Sequence, residues 1–147
     1  MGIKDDKAPQ SFYIYRKRNL LIKEAAYAFK EVGTGFSVCK VENLSKVNLD
    51  SEFCFIGKTD EERSVVCVTT DVPCNVVERE DGWKAFRIEG TLDFSLVGIL
   101  SKVSGVLAAS KIGIFAISTY NTDYILTKSD NYDRAIEVLE QAGYQFI

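Results

Sequence analysis

Gly113-Ile114-Phe115-Ala116-Ile117-Ser118-Thr119-Tyr120-Asn121-Thr122-Asp123-Tyr124-Ile125-Leu126 reads as two strands joined by a tight turn. Ile114 to Tyr120 and Tyr124 to Thr127 are rich in β-branched and aromatic residues, which suit a pleated, half-buried surface. Asn121, Thr122 and Asp123 between them are turn formers, because their short polar side chains bond the nearby backbone. Beside so apolar a strand stands a polar cluster: Ser118, Thr119, Asn121, Thr122 and Asp123. It puts hydroxyls, an amide and one carboxylate where a strand ends and a small molecule can dock.

Working outward, Trp83 to Glu89 alternates and is expected as a strand. Ser95 to Lys111 is expected as a helix, with Leu96, Ile99, Leu100, Val103 and Leu107 on one stripe and Asp93 or Ser95 as its cap. Asn131 is the expected cap of a second helix, whose stripe is Tyr132, Ala135, Ile136, Leu139 and Ala142 and whose stop is Gly143. Tyr144 to Ile147 would be a last short strand. The order is βαββαβ in 65 residues. That is an α+β, ferredoxin-like sandwich with both helices on one face of an antiparallel sheet.

The first half is less regular. Phe12 to Tyr15 is read as a strand and Asn19 to Val32 as a helix, with Leu21, Ala25, Ala28 and Val32 on one face and Gly33-Thr34-Gly35 ending it. Phe36 to Val41 and Phe53 to Ile56 are strands, separated by a polar loop over Asn43 to Ser51. Lys58 to Arg63 is a charged hairpin connection. Ser64-Val65-Val66-Cys67-Val68-Thr69 is nearly continuous in apolar residues, which predicts a strand buried on both faces. Pro73 to Asp81 is polar, and a boundary is expected near residues 72 to 82.

Composition narrows the function. The 147 residues carry a net charge of −3, from 18 basic and 21 acidic side chains, which disfavours a phosphate-backbone partner. The chain has no histidine, and Cys39, Cys54, Cys67 and Cys74 form no CxxC pair, so the usual zinc and Ser-His or Cys-His arrangements are missing. No apolar run approaches the ~20 residues that span a bilayer. The N-terminus has no apolar core of the signal-peptide kind. The reading is a cytoplasmic protein with reduced thiols, not an enzyme, with no cofactor, metal, nucleic acid or membrane partner.

What the residues do offer suits a small zwitterion. The turn Glu89 to Ser95 leads into a helix containing Gly98, whose lack of Cβ allows close approach to the unpaired N–H groups of the first turn. Asp123 is the only carboxylate in the polar turn, and Ser118 and Thr119 can donate or accept. Ser64 to Val66 can supply its own N–H and C=O if its edge faces the cleft.

The string from Ile112 through Leu126, with Ser118-Thr119-Tyr120-Asn121-Thr122-Asp123 at its centre, resembles the ACT-domain family. Within that family it is similar to the two-lobed amino-acid-binding members related to the arginine-sensor ACT proteins of the mTOR pathway. The resemblance covers roughly Trp83 to Ile147. It implies tandem ferredoxin-like βαββαβ lobes, a degenerate first one over residues 1–75 and a full ACT domain over 83–147, together forming an amino-acid-binding regulatory protein. It implies that Ser64 and Val65 contact the ligand main chain. Gly98 and Ile99 would meet the same region, and ligand polar groups would lie near Thr119, Tyr120 and Asp123. The ligand, a free amino acid, would sit between the lobes and fix their angle for a regulated protein to read. The alternative is a protein-interaction adaptor with a vestigial pocket. Either a monomer or a homodimer satisfies the sheet edges.

Overall fold

The structure, a computed structural model, describes residues 28–89 and 98–147. Their elements are β1 (Ala28–Val41), β2 (Cys54–Lys58), β3 (Arg63–Val68), a 3-10 turn (Thr69–Asp71), β4 (Val76–Ile88), α1 (Ile99–Ala109), β5 (Phe115–Ser118), β6 (Asp123–Lys128), α2 (Ser129–Gln141) and β7 (Gln145–Phe146). All seven strands join one sheet in the order β2-β3-β1-β4-β6-β5, with β7 beside β1. Every pairing is antiparallel except β1 with β7.

Side-chain alternation gives the sheet two different faces. One face of the C-terminal half carries both helices. Phe29, Phe86, Ile88 and Ile125 from the strands meet Val103 and Leu107 of α1 and Tyr132, Ala135 and Leu139 of α2. The other face is concave and lined by its own strands: Val32, Phe36, Val66, Ala85 and Leu126 are buried there, with Phe53, Phe55, Trp83, Phe115 and Tyr124 packed against them. The sheet curls far enough for Phe55 of β2 to meet Tyr124 of β6, with ring centroids 5.0 Å apart. A third cluster, Cys39, Val41, Val65 and Cys67, lies on the opposite face of the N-terminal half.

Several expectations hold. The apolar run in β3 is buried on both faces, Val65 and Cys67 on one and Val66 on the other. The predicted stripe residues Ile99, Leu100, Val103 and Leu107 of α1 and Tyr132, Ala135, Ile136 and Leu139 of α2 pack on the core, whereas Ala142 is exposed. The last helix ends as expected. Gly143 takes φ 104°, and the Tyr144 N–H donates to the Leu139 carbonyl at 3.0 Å.

Other expectations are corrected. The helix expected over Asn19 to Val32 is strand at its C-terminal end, because Ala28–Val32 begins β1. Phe29 is fully buried between Phe86, Tyr144 and Phe146, with ring centroids 5.1–5.2 Å away. Removing such a side chain from water is worth about 2–3 kcal/mol, which outweighs a small local preference for helix. Residues 19–27 and the strand expected at Phe12 to Tyr15 lie outside the described residues. Gly33-Thr34-Gly35 ends no helix but forms a bulge. Val32 pairs with Ala85 and Gly35 with Lys84, so Gly33 and Thr34 have no opposite number on β4. The connection expected over Pro73 to Asp81 is strand from Val76 onward. The second helix starts at Ser129 rather than after Asn131. The proposed caps Asp93 and Ser95, with Leu96, lie outside the described residues.

Candidate functional site at the start of helix α1

One end of the C-terminal half gathers most of the candidate residues. Arg87 of β4 pairs with Tyr124, and Ser118 pairs with Asp123, so the end of β4, the end of β5 and the start of β6 lie side by side. The turn between β5 and β6 is closed by Thr119. Its N–H donates to the Thr122 carbonyl at 2.8 Å, its hydroxyl donates to the same oxygen at 2.9 Å, and it accepts from the Thr122 N–H at 3.3 Å. Thr122, buried in spite of its place in a turn, donates its hydroxyl to the Ile88 carbonyl at 2.7 Å. That single bond ties the turn to the end of β4.

Gly98 precedes α1 at φ +86°, in the left-handed region that favours glycine, and no side chain caps the helix. Its carbonyl already accepts the first helical bond, from the Lys102 N–H at 2.9 Å. A Cβ there would meet nothing within 4 Å among the described residues. Ile99 packs onto the core cluster containing Ile88 and Ile125 and so holds the helix start at this end of the sheet. Asp123 is half-buried and falls by alternation on the helix-bearing face with Ile125. Tyr120 is 79% exposed at the tip of the turn.

Ser64 and Val65 stand elsewhere. They pair with Lys40 and Cys39 of β1 on one side and with Gly57 and Ile56 of β2 on the other. The edge expected to face a cleft is thus occupied on both sides by ladder bonds. Val65 is fully buried among Cys39, Val41 and Cys67. Lys40 lies eleven residues along β1 from Phe29, the residue level with Ile88, a contour of roughly 35 Å at strand rise that the curl bringing Phe55 onto Tyr124 shortens through space. Ser64 shares the concave-side alternation of Val66, whereas Asp123 faces the helices. A single chain brings Gly98, Ile99, Thr119, Tyr120 and Asp123 to one end and leaves Ser64 and Val65 at the other end of β1.

Two groups escaped the sequence reading. Thr122 carried no signal beyond being one polar residue among several. Arg87 was one member of an alternating strand. Its Nη1 donates to the Tyr124 hydroxyl at 3.2 Å, and this bond holds the guanidinium's pKa above its ordinary value. Among the described residues no group of three or more Cys, Asp or Glu side chains is placed to hold a metal. No helix among them is long and apolar enough to cross a membrane.

The family model for the ACT domain matches residues 78–141, from β4 to the end of α2. Residues 78–141 are an ACT domain. The human and bovine proteins named cytosolic arginine sensor for mTORC1 subunit 1 are each 40% identical over 60 residues. That match spans 40% of this chain but only 18% of theirs. A crystal structure of an Agrobacterium tumefaciens protein is similar over 83% of this chain and 92% of its own, with a TM-score of 0.73 and 25% identity. Aspartate kinase from Synechocystis shares the fold at a TM-score of 0.60 and 15% identity, over 88% of this chain and 30% of that enzyme. The fold around the ACT domain is therefore the α+β, ferredoxin-like arrangement expected from the βαββαβ order.

Proposed function

We propose that this protein is an amino-acid-binding regulatory protein whose ACT domain holds its ligand at the start of α1. The observation that carries the reading is the uncapped helix start at Gly98, at the same end of the sheet as the turn that presents Asp123 and that Thr122 ties to β4. The ligand's carboxylate takes the free N–H groups of the first turn, where the helix dipole also favours negative charge. Its ammonium takes Asp123. Thr119 and Tyr120 border the remaining polar groups. The kinship with proteins named arginine sensors supports an amino acid as ligand and a regulated protein as the reader.

Ser64 reaches such a ligand from a second copy of the chain, so the complete site is that of a homodimer with the ligand between lobes of different copies. Val65 contributes there only as the packing that fixes Ser64. The two lobes proposed over 1–75 and 83–147 then act as halves of one curled sheet, with the first lobe degenerate.

Thermal melts of the purified protein against the twenty amino acids test this reading, because a ligand that binds only the folded state must raise the Tm. One amino acid, or a small related group, should do so. A flat panel at saturating ligand would discard the binding role and favour an adaptor.

A further inference from the structure

The concave face carries a feature that the helix-start site does not use. A cavity of about 470 Å³ opens at the β1 bulge, on the side of the sheet away from both helices. Its lining includes Lys30 and Arg87, which are directly opposite each other in the β1–β4 register. Like charges at opposed positions destabilise a sheet. Arg87 is held in place by the Tyr124 hydroxyl at 3.2 Å, by the Tyr124 ring with the guanidinium 5.9 Å from its centroid, and by Glu89 at 3.5 Å. Lys30 has no ion pair within 4.0 Å among the described residues.

Besides Val32, which is buried, and Glu31, whose carboxylate accepts a hydrogen bond from the Tyr132 hydroxyl at 3.2 Å, the remaining lining is of three kinds. Phe53 and Val68 are apolar, and Phe53 is anchored by edge contacts to Phe36 and Tyr124 at 5.9 and 6.3 Å. Gly33 and Thr34 border the cavity with backbone that no β4 residue faces. Glu52 adds an exposed carboxylate to the lining, also without an ion pair among the described residues.

We propose that this cavity is a second ligand site, for a small organic carboxylate with an apolar body. The carboxylate lies between Lys30 and Arg87 and relieves their repulsion. A bidentate fork on Arg87 and the point charge of Lys30 both suit it. The apolar body lies on Phe53 and Val68. The volume falls in the range of small-molecule pockets. An amino group on the ligand would meet Glu52, so amino acids and their 2-oxo analogues share the site and differ only in that contact.

The test is calorimetric titration of the full chain with L-phenylalanine and, separately, with phenylpyruvate, for wild type, Lys30→Glu, Glu52→Gln and Asp123→Ala. Both probes should bind wild type saturably. Lys30→Glu should weaken both by at least about tenfold, since it removes one charge-assisted contact worth about 1.4 kcal/mol and sets a carboxylate against the ligand's own. It should also raise the Tm without ligand, since it turns an opposed like-charge pair into an opposite-charge one. Glu52→Gln should weaken only the amino acid. Asp123→Ala should leave phenylpyruvate binding intact, which separates this site from the one at α1. No saturable binding of either probe, equal binding by Lys30→Glu, a lower Tm for that variant, or loss of phenylpyruvate binding in Asp123→Ala would each overturn the proposal.

Discussion

Replacing Thr122 by valine tests the link between the fold and the helix-start site. Valine keeps the shape of threonine and removes only the hydroxyl, so it leaves no cavity. What disappears is the 2.7 Å bond from Thr122 to the Ile88 carbonyl, made by a side chain only 8% exposed. A buried hydrogen bond lost from one side costs about 1–2 kcal/mol, because the remaining acceptor stays desolvated. For a domain of this size that is a fall in Tm of roughly 2–8 °C. The same bond fixes the turn relative to β4, and with it Asp123 relative to Gly98, so amino-acid affinity should fall by more than stability alone explains. Differential scanning calorimetry and titration of the amino acid found in the melting panel give the two numbers. Thr119→Val is the control, since its bonds lie within an exposed turn and should cost less than Thr122→Val. A Thr122→Val protein that melts with wild type would refute the latch. One that melts early yet binds with wild-type affinity would refute its role in positioning Asp123.

Asp123→Ala should weaken the same amino acid by about 1.5–3 kcal/mol if the carboxylate meets the ligand's ammonium, and unchanged affinity in titration would remove it from the site. Gly98→Ala meets no atom but must hold φ +86° with a Cβ. It should cost about 1–2 kcal/mol of stability, read as a lower urea midpoint at unchanged slope, and an unchanged midpoint would deny the left-handed constraint. Burial, with the neighbouring Cys39 thiol adding to it, pushes the Cys67 thiol from 9.0 up to about 12. A raised pKa in the folded state gives stability that is complete below pH 9.0 and lost as pH climbs toward about 12. At about 1.4 kcal/mol per pH unit the loss approaches about 4 kcal/mol. Denaturant midpoints for wild type should fall across that window, and Cys67→Ala should fall less steeply. Parallel slopes would show that the thiol does not carry the effect.

Much of the C-terminal half was legible in the sequence because its determinants are local. The i, i+3, i+4 stripes of α1 and α2, the turn formers at 121–123 and the stop at Gly143 each encode their own conformation within a few residues. The doubly buried β3 was equally readable, since an unbroken apolar run has no solvent face to offer. The Asp123 turn was visible for the same reason, whereas the helix expected from Ser95 with Gly98 inside it starts only at Ile99, since Gly98 at φ +86° stands outside helical geometry.

Tertiary structure decided the rest. Ala28 to Val32 satisfies a helical stripe, yet Phe29 is a strand residue because β4 and β7 supply partners on both sides, and those partners lie some sixty and one hundred and seventeen residues away in the chain. No local pattern encodes such pairing. Val76 to Asp81 likewise reads as a polar connection and becomes strand because β1 is long enough to template it. Ser64 and Asp123 stand at different ends and on opposite faces of one sheet, an arrangement set by that same long strand. Local periodicity fixes which face of an element is apolar, and only the closure of distant ladders fixes which elements become neighbours.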